Sequence, residues 1–289
     1  MEPEGWELVC VGGLGMCGPV VMGNGTIVVA SLDSGELFTI AHTQDDTLPS
    51  SLELLAHTDG VPAALAAVDG KTLFVADLAK PAVLRRNGAD GSLEEFVSEY
   101  EARRFKGPSA ICVDASGNMY FTDSGPLGES TLTSRSGSVF TVSRDGQLLQ
   151  PIALECLAHP SGVAMAPNDS ALFVTEMLMN RLLRAVQRPA GVWHCSVFYQ
   201  FSGSLGPSAV ACDADGVLYV ALYDMVATGS PGRIVVLSPR GALLRELTLP
   251  APEVSGLAVD VERGLLYVTE SSSNSLFRLA IADLNLNLS

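Results

Sequence analysis

The sequence predicts an all-β fold, a six-bladed β-propeller, on three observations: one phrase recurs six times, each copy has strand-like composition, and a spare strand precedes the first copy. The fullest copies are Gly107-Pro108-Ser109-Ala110-Ile111-Cys112-Val113-Asp114 and Gly206-Pro207-Ser208-Ala209-Val210-Ala211-Cys212-Asp213. Each passes through a Gly-containing turn into a β-rich stretch, residues 119–123 or 218–221. The phrase returns as Pro160-Ser161-Gly162-Val163 and Val254-Ser255-Gly256-Leu257, and more weakly near Cys17-Gly18-Pro19-Val20 and Val61-Pro62-Ala63-Ala64. Aligned, the copies put Cys17, Ala63, Ser109, Ser161, Ser208 and Ser255 at one position, with spacings of 46, 46, 52, 47 and 47 residues. A period near 48 is that of a propeller blade.

Within each copy, β-branched and aromatic residues come in short runs bounded by Gly, Asn and Asp, and no helical period persists. A third strand follows the second, for example Ser138-Val139-Phe140-Thr141-Val142 and Arg233-Ile234-Val235-Val236-Leu237, and an outer strand usually comes after it. The sixth copy has little chain left for that outer strand. Trp6-Glu7-Leu8-Val9-Cys10-Val11 is predicted to fill the place, closing the ring and covering strand edges that would invite association. Residues 1–289 then form a single domain.

Composition narrows the function classes. The chain is 47% hydrophobic and 17% charged, which suits a packed core. Seventeen basic against 32 acidic residues give a net charge of −15, a field that repels phosphate backbones and argues against nucleic acid as a partner. The N-terminus lacks the basic start and apolar run of a signal peptide, and no stretch is long enough for a membrane span. A cytoplasmic protein with reduced, buried thiols is therefore expected from Cys10, Cys17, Cys112, Cys156, Cys195 and Cys212, none in a CxxC pair. Three glycosylation sequons, at Asn24, Asn168 and Asn287, carry little meaning without a secretion signal.

Other motifs have structural readings. Gly13-Leu14-Gly15-Met16-Cys17-Gly18 matches G-x-G-x-x-G but leads into a strand, so it offers no helix N-terminus to a pyrophosphate and reads as the crossing into blade one. His42, His57, His159 and His194 lack metal-ligand spacing, and no G-x-S-x-G elbow is present. Asp77, Asp123, Glu176 and Glu270 end the second strand of four blades, where a carboxylate can accept backbone N–H bonds; the sharper reading puts some of them at the channel mouth. Asn180 and Asn274 suit turn positions. Glu129 and Asp224 lie in long loops on the upper face, where ligand rims form.

The segment 107–123, the insertion 124–137 and the blade-four phrase from His159 resemble the regucalcin (senescence marker protein)/gluconolactonase/LRE-like family, and are also similar to strictosidine-synthase-like and NHL-type propellers. In hydrolytic members of the resembled family a divalent cation, usually calcium, sits in the central channel and activates water or polarises an ester oxygen. The resemblance places its ligands at the positions of Cys17, Ser109, Ser161 and Ser208, where the family has Glu, Asn, Asn and Asp. Three hydroxyls and a thiol supply no formal charge to a cation that prefers six to eight oxygens with carboxylates among them. These residues therefore read either as a neutral hydrogen-bonding channel floor or as strand-starting residues whose hydroxyls satisfy backbone. A reactive thiol at Cys17 is the further option, although no basic neighbour is in view to activate it. The expectation is a relative with altered catalysis that binds a small molecule or protein on its top face and needs no cofactor. The alternative is an active lactonase or esterase holding calcium or another divalent cation on Asp77, Asp123, Glu176 or Glu270.

Overall fold

The computed structural model describes residues 5–40, 49–88 and 90–286. His42 and the sequon at 287–289 lie outside these residues. Six antiparallel four-stranded sheets follow one another around a ring. Blade one comprises Met16–Val21, Ile27–Ser31, Glu36–Ile40 and Leu52–His57, and blade two Pro62–Val68, Thr72–Asp77, Ala82–Arg86 and Leu93–Val97. Blade three comprises Pro108–Val113, Met119–Asp123, Gly137–Val142 and Leu149–Leu157, and blade four Pro160–Met165, Leu172–Glu176, Arg181–Gln187 and Trp193–Gln200. Blade five comprises Gly206–Cys212, Leu218–Tyr223, Gly232–Leu237 and Leu243–Leu249. Blade six has Val254–Asp260, Leu265–Glu270 and Ser275–Ala280, and its outer strand is Glu7–Val11, paired antiparallel with Ser275–Ala280. The N-terminal strand closes the ring as the sequence predicts. No described helix is long and apolar enough to cross a membrane.

The second strands are buried along their whole length in blades one, three and four, because blades cover both of their faces. Their apolar runs stack blade against blade. Phe173 and Leu182 of blade four pack with Val220 and Leu222 of blade five, and Tyr219 and Ile234 of blade five with Leu266 and Val268 of blade six. Outer strands have one solvated face, which exposes Cys156 and Cys195 on the outer strands of blades three and four, whereas Cys10, on the outer strand of blade six, packs into a buried cluster with Met16 and Tyr267, and Cys17 is buried on the inner strand of blade one. Of the six thiols expected to be buried, Cys10 and Cys17 are; Cys112 and Cys212, on inner strands, are half-buried, and Cys156 and Cys195 are exposed.

The innermost strands set the channel. All start at the same face, here called the upper face, and all carry an irregularity near that start. In five blades the register skips one residue: Ala63, Ser109, Ser161, Ser208 or Ser255. In blade one it shifts between Cys17 and Val20. A bulge leaves its extra residue out of the ladder and re-aims the side chain. The next position is Ala64, Ala110, Gly162, Ala209 or Gly256, and its small size is a packing requirement. A Cβ on Gly256 would meet Pro19 Cδ at 2.5 Å, and one on Gly162 would meet Ala209 Cα at 2.9 Å.

Candidate functional site

The residues at the aligned position of the repeat, Ala63 excepted, form a hydrogen-bonded belt around the axis. The Cys17 thiol donates to the Pro62 carbonyl at 3.3 Å. The hydroxyls of Ser109, Ser161, Ser208 and Ser255 donate to the carbonyls of Pro160, Pro207, Val254 and Met16 at 3.3, 2.7, 2.7 and 2.6 Å. Each acceptor is the residue just before the equivalent position in the next blade. Ala63 has no side-chain donor, so the crossing from blade two to blade three is the one without such a bond.

A second layer backs the belt. The hydroxyls of Thr122, Thr175 and Thr269 lie 2.9, 2.9 and 3.1 Å from those of Ser109, Ser161 and Ser255. Ser124 Oγ is a further 3.0 Å neighbour of Ser109. Inside the belt is a cavity of about 70 Å³, lined by the first residues of the inner strands of all six blades. Ser255 and the three threonines were missed as site residues in the sequence, although Ser255 stands in the repeat alignment. The signal for the threonines is the recurring pair Thr-Asp or Thr-Glu at the end of the second strand.

The four strand-end carboxylates point away from this cavity into backbone. Asp77 Oδ1 accepts the N–H groups of Val61, Ala79 and Lys80 at 2.9, 3.0 and 2.8 Å. Asp123 Oδ1 accepts those of Lys106 and Gly107 at 2.9 and 2.8 Å. Glu176 accepts from Ala158 N at 2.8 Å and from Arg181 Nε at 2.7 Å. Glu270 accepts from Glu253 N at 2.9 Å and from Ser272, with Ser273 bonding its second oxygen. In every case one partner lies in the segment just before the same blade's inner strand. The carboxylate thereby fastens the incoming chain to the end of the second strand. Burial pushes the Asp123 carboxyl above its ordinary range, against the pull of its two N–H partners.

The other candidates near the mouth differ from one another. Burial, reinforced by the charge of Asp33, pushes the Cys17 thiol up to about 12, which leaves it protonated and a poor nucleophile. His159 is buried in a left-handed conformation (φ 56°), and desolvation lowers its pKa to about 4, so the ring is neutral at physiological pH. Its backbone N–H is held by Ser130 Oγ at 3.2 Å. Ser130 itself donates to Leu157 O at 2.7 Å and accepts from Ser136 N and Gly137 N. That fully buried hydroxyl anchors the long blade-three insertion, a role the surrounding polar sequence did not reveal. Glu129 is exposed and Asp224 partly so, both on upper-face loops. Asn180 and Asn274 adopt left-handed turn conformations, and Asn274 Oδ1 accepts Gly15 N at 2.8 Å. Gly13, Gly15 and Gly18 have φ of 72°, 66° and 52°, as a strand crossing into blade one demands.

The description SMP-30/Gluconolactonase/LRE-like region matches residues 19–272. The chain belongs to the SMP-30/gluconolactonase/LRE-like family. Lactonase drp35 of Staphylococcus haemolyticus is 30% identical over 166 residues, covering 54% of this chain and 46% of that protein. Lactonase drp35 of Staphylococcus saprophyticus is 32% identical over 141 residues, covering 47% and 40%. The alignments thus span about half the length of these relatives or less. Among solved structures, a gluconolactonase from Xanthomonas campestris superposes with a TM-score of 0.80 at 20% identity, covering 98% of this chain and 89% of its own. Regucalcin from Agrobacterium tumefaciens, described as a calcium-binding protein, gives 0.73 at 18% identity and 94% coverage of both chains. At these identities the likeness is one of fold.

The belt residues do not fit the divalent cation that the SMP-30/gluconolactonase resemblance implies. The donors at the expected positions are uncharged, and each hydroxyl or thiol proton is already directed at a neighbouring carbonyl. The carboxylates that could supply charge are engaged elsewhere by backbone N–H groups. Among the described residues no group of three or more His, Cys, Asp and Glu is placed to hold a metal. Dehydrating a divalent ion needs charge that this set lacks.

Proposed function

We propose that this member of the family binds a small uncharged molecule at the upper face of the channel and does not carry out metal-dependent hydrolysis. The observation that carries this reading is the belt: the residues at the family's ligand positions are neutral and spent on carbonyls. The upper-face loops supply apolar contact surface instead. Leu14, Leu127, Leu132, Met225 and Val226 are all half or more exposed there, an arrangement suited to apolar contact around a hydroxyl-lined floor.

The lactonase name of the relatives favours a second reading, in which other carboxylates hold the cation and the chain hydrolyses a lactone or ester. The bonds made by Asp77, Asp123, Glu176 and Glu270 weigh against it. One assay decides: hydrolysis of gluconolactone and aryl esters with calcium, magnesium, zinc or manganese, repeated with chelator. The expected result is no metal-dependent turnover. Turnover that needs the metal and vanishes with chelator overturns the proposal and establishes the second reading.

A further inference from the structure

We infer that the belt fastens the six blades at the axis in place of a shared cation, and that a water completes it at the one open crossing, between Ala63 and Pro108. A cation joins blades by drawing ligands from several of them onto one charge. Here the same joining is done pairwise. The bonds run one way round the ring, from blade one to two, three to four, four to five, five to six and six to one. The last of these spans 239 residues and joins the final repeat to the first, so the belt closes the ring at its centre as the N-terminal strand closes it at its rim.

A divalent cation there would meet neutral oxygens and sulfur with no carboxylate among them to offset its dehydration. Between Ala63 and Pro108 the side-chain donor is missing. The cavity of about 70 Å³ bounded by Ala63 and the serines is large enough to admit water. Serine in place of Ala63 would supply the missing donor at the cost of one added oxygen.

The inference shares its reading of the site with the proposed function, but it is tested by melting rather than turnover, so the two can fail separately. The full chain is melted in chelator and in excess calcium, alongside Ser161→Ala, Ser208→Ala and Ala63→Ser. Chelator and calcium should leave the midpoint unchanged. Each Ser→Ala change should lower it by about 2–6 °C, and Ala63→Ser should raise it by about 2 °C. A midpoint that rises with calcium or falls with chelator overturns the cation-free belt. Ser→Ala variants that melt with the parent overturn the belt as a fastening. Ala63→Ser melting at or below the parent overturns the open crossing; this variant also keeps the inference testable if a Ser→Ala chain does not fold.

Discussion

Arg278 and Glu7 lie 271 residues apart in the chain and meet across the outer strand pair of blade six, Nε donating to Oε2 at 2.6 Å. The pair sits in a ladder where Glu7 faces Arg278 and Leu8 faces Phe277. Val9 and Cys10 of the same strand are buried in a cluster with Met16, Tyr267 and Leu276. Trp6 Nε1 reaches the Thr248 carbonyl in blade five at 2.9 Å. The N-terminal strand therefore bonds to blade six and packs against blades one and five.

Removal of residues 1–11 should accordingly cost about 5 kcal/mol or more, from lost apolar burial and an opened strand edge. Circular dichroism melts should show a midpoint lowered by about 10 °C or more, with association of the truncated chain visible in light scattering. An unchanged midpoint would show that the ring closes without this strand.

Thiol labelling should follow burial. A disulfide reagent at neutral pH should react quickly with exposed Cys156 and Cys195 and slowly with buried Cys10 and Cys17. Both buried thiols are pushed up to about 12 by desolvation. Denaturant should release all six. Native-state labelling of Cys17, located by peptide mass mapping, at the rate of Cys156 would contradict the belt geometry.

His159 should make stability fall in mild acid. Its folded pKa of about 4 is below the ordinary value of 6.5, so between these pH values the unfolded chain binds a proton that the folded chain excludes. The contribution is fully present above pH 6.5 and is lost as the pH falls towards 4, amounting to about 3 kcal/mol. Asn tolerates the left-handed backbone, so His159→Asn should flatten this part of the profile without straining the chain. Urea unfolding of both proteins at pH 7, 5.5 and 4.5 measures the difference, and parallel profiles would refute it.

The glycine that opens blade five should not be replaceable. Gly206 has φ 149°, and a Cβ there would lie 2.1 Å from the Met177 carbonyl oxygen. Gly206→Ala should cost more than about 3 kcal/mol. Gly264, with φ 64° and open space around its missing Cβ, serves as the control and should cost about 1 kcal/mol. Equal losses in denaturant titrations would mean that the close approach to Met177 is relieved by movement.

The blade count, the strand order and the closing strand could be read from the sequence because they rest on local properties: a period near 48, turn residues, and apolar runs of strand length. The column of Cys17, Ala63, Ser109, Ser161, Ser208 and Ser255 was visible for the same reason. Their two readings, a ligand floor or hydroxyls satisfying backbone, could not be separated there. Each belt acceptor lies in another blade, 45 to 51 residues ahead or 239 behind, and only the bulge and the close packing of small-residue inner strands bring it within reach. That the carboxylates at 77, 123, 176 and 270 accept backbone N–H groups was legible from their strand-end positions, whereas the burial of His159 leaves no local trace. A hydroxyl's chemistry is carried by its residue type, but whether its proton is free for a ligand or committed to a carbonyl depends on which chain segment folding sets about 3 Å away, and the tertiary structure alone decided that.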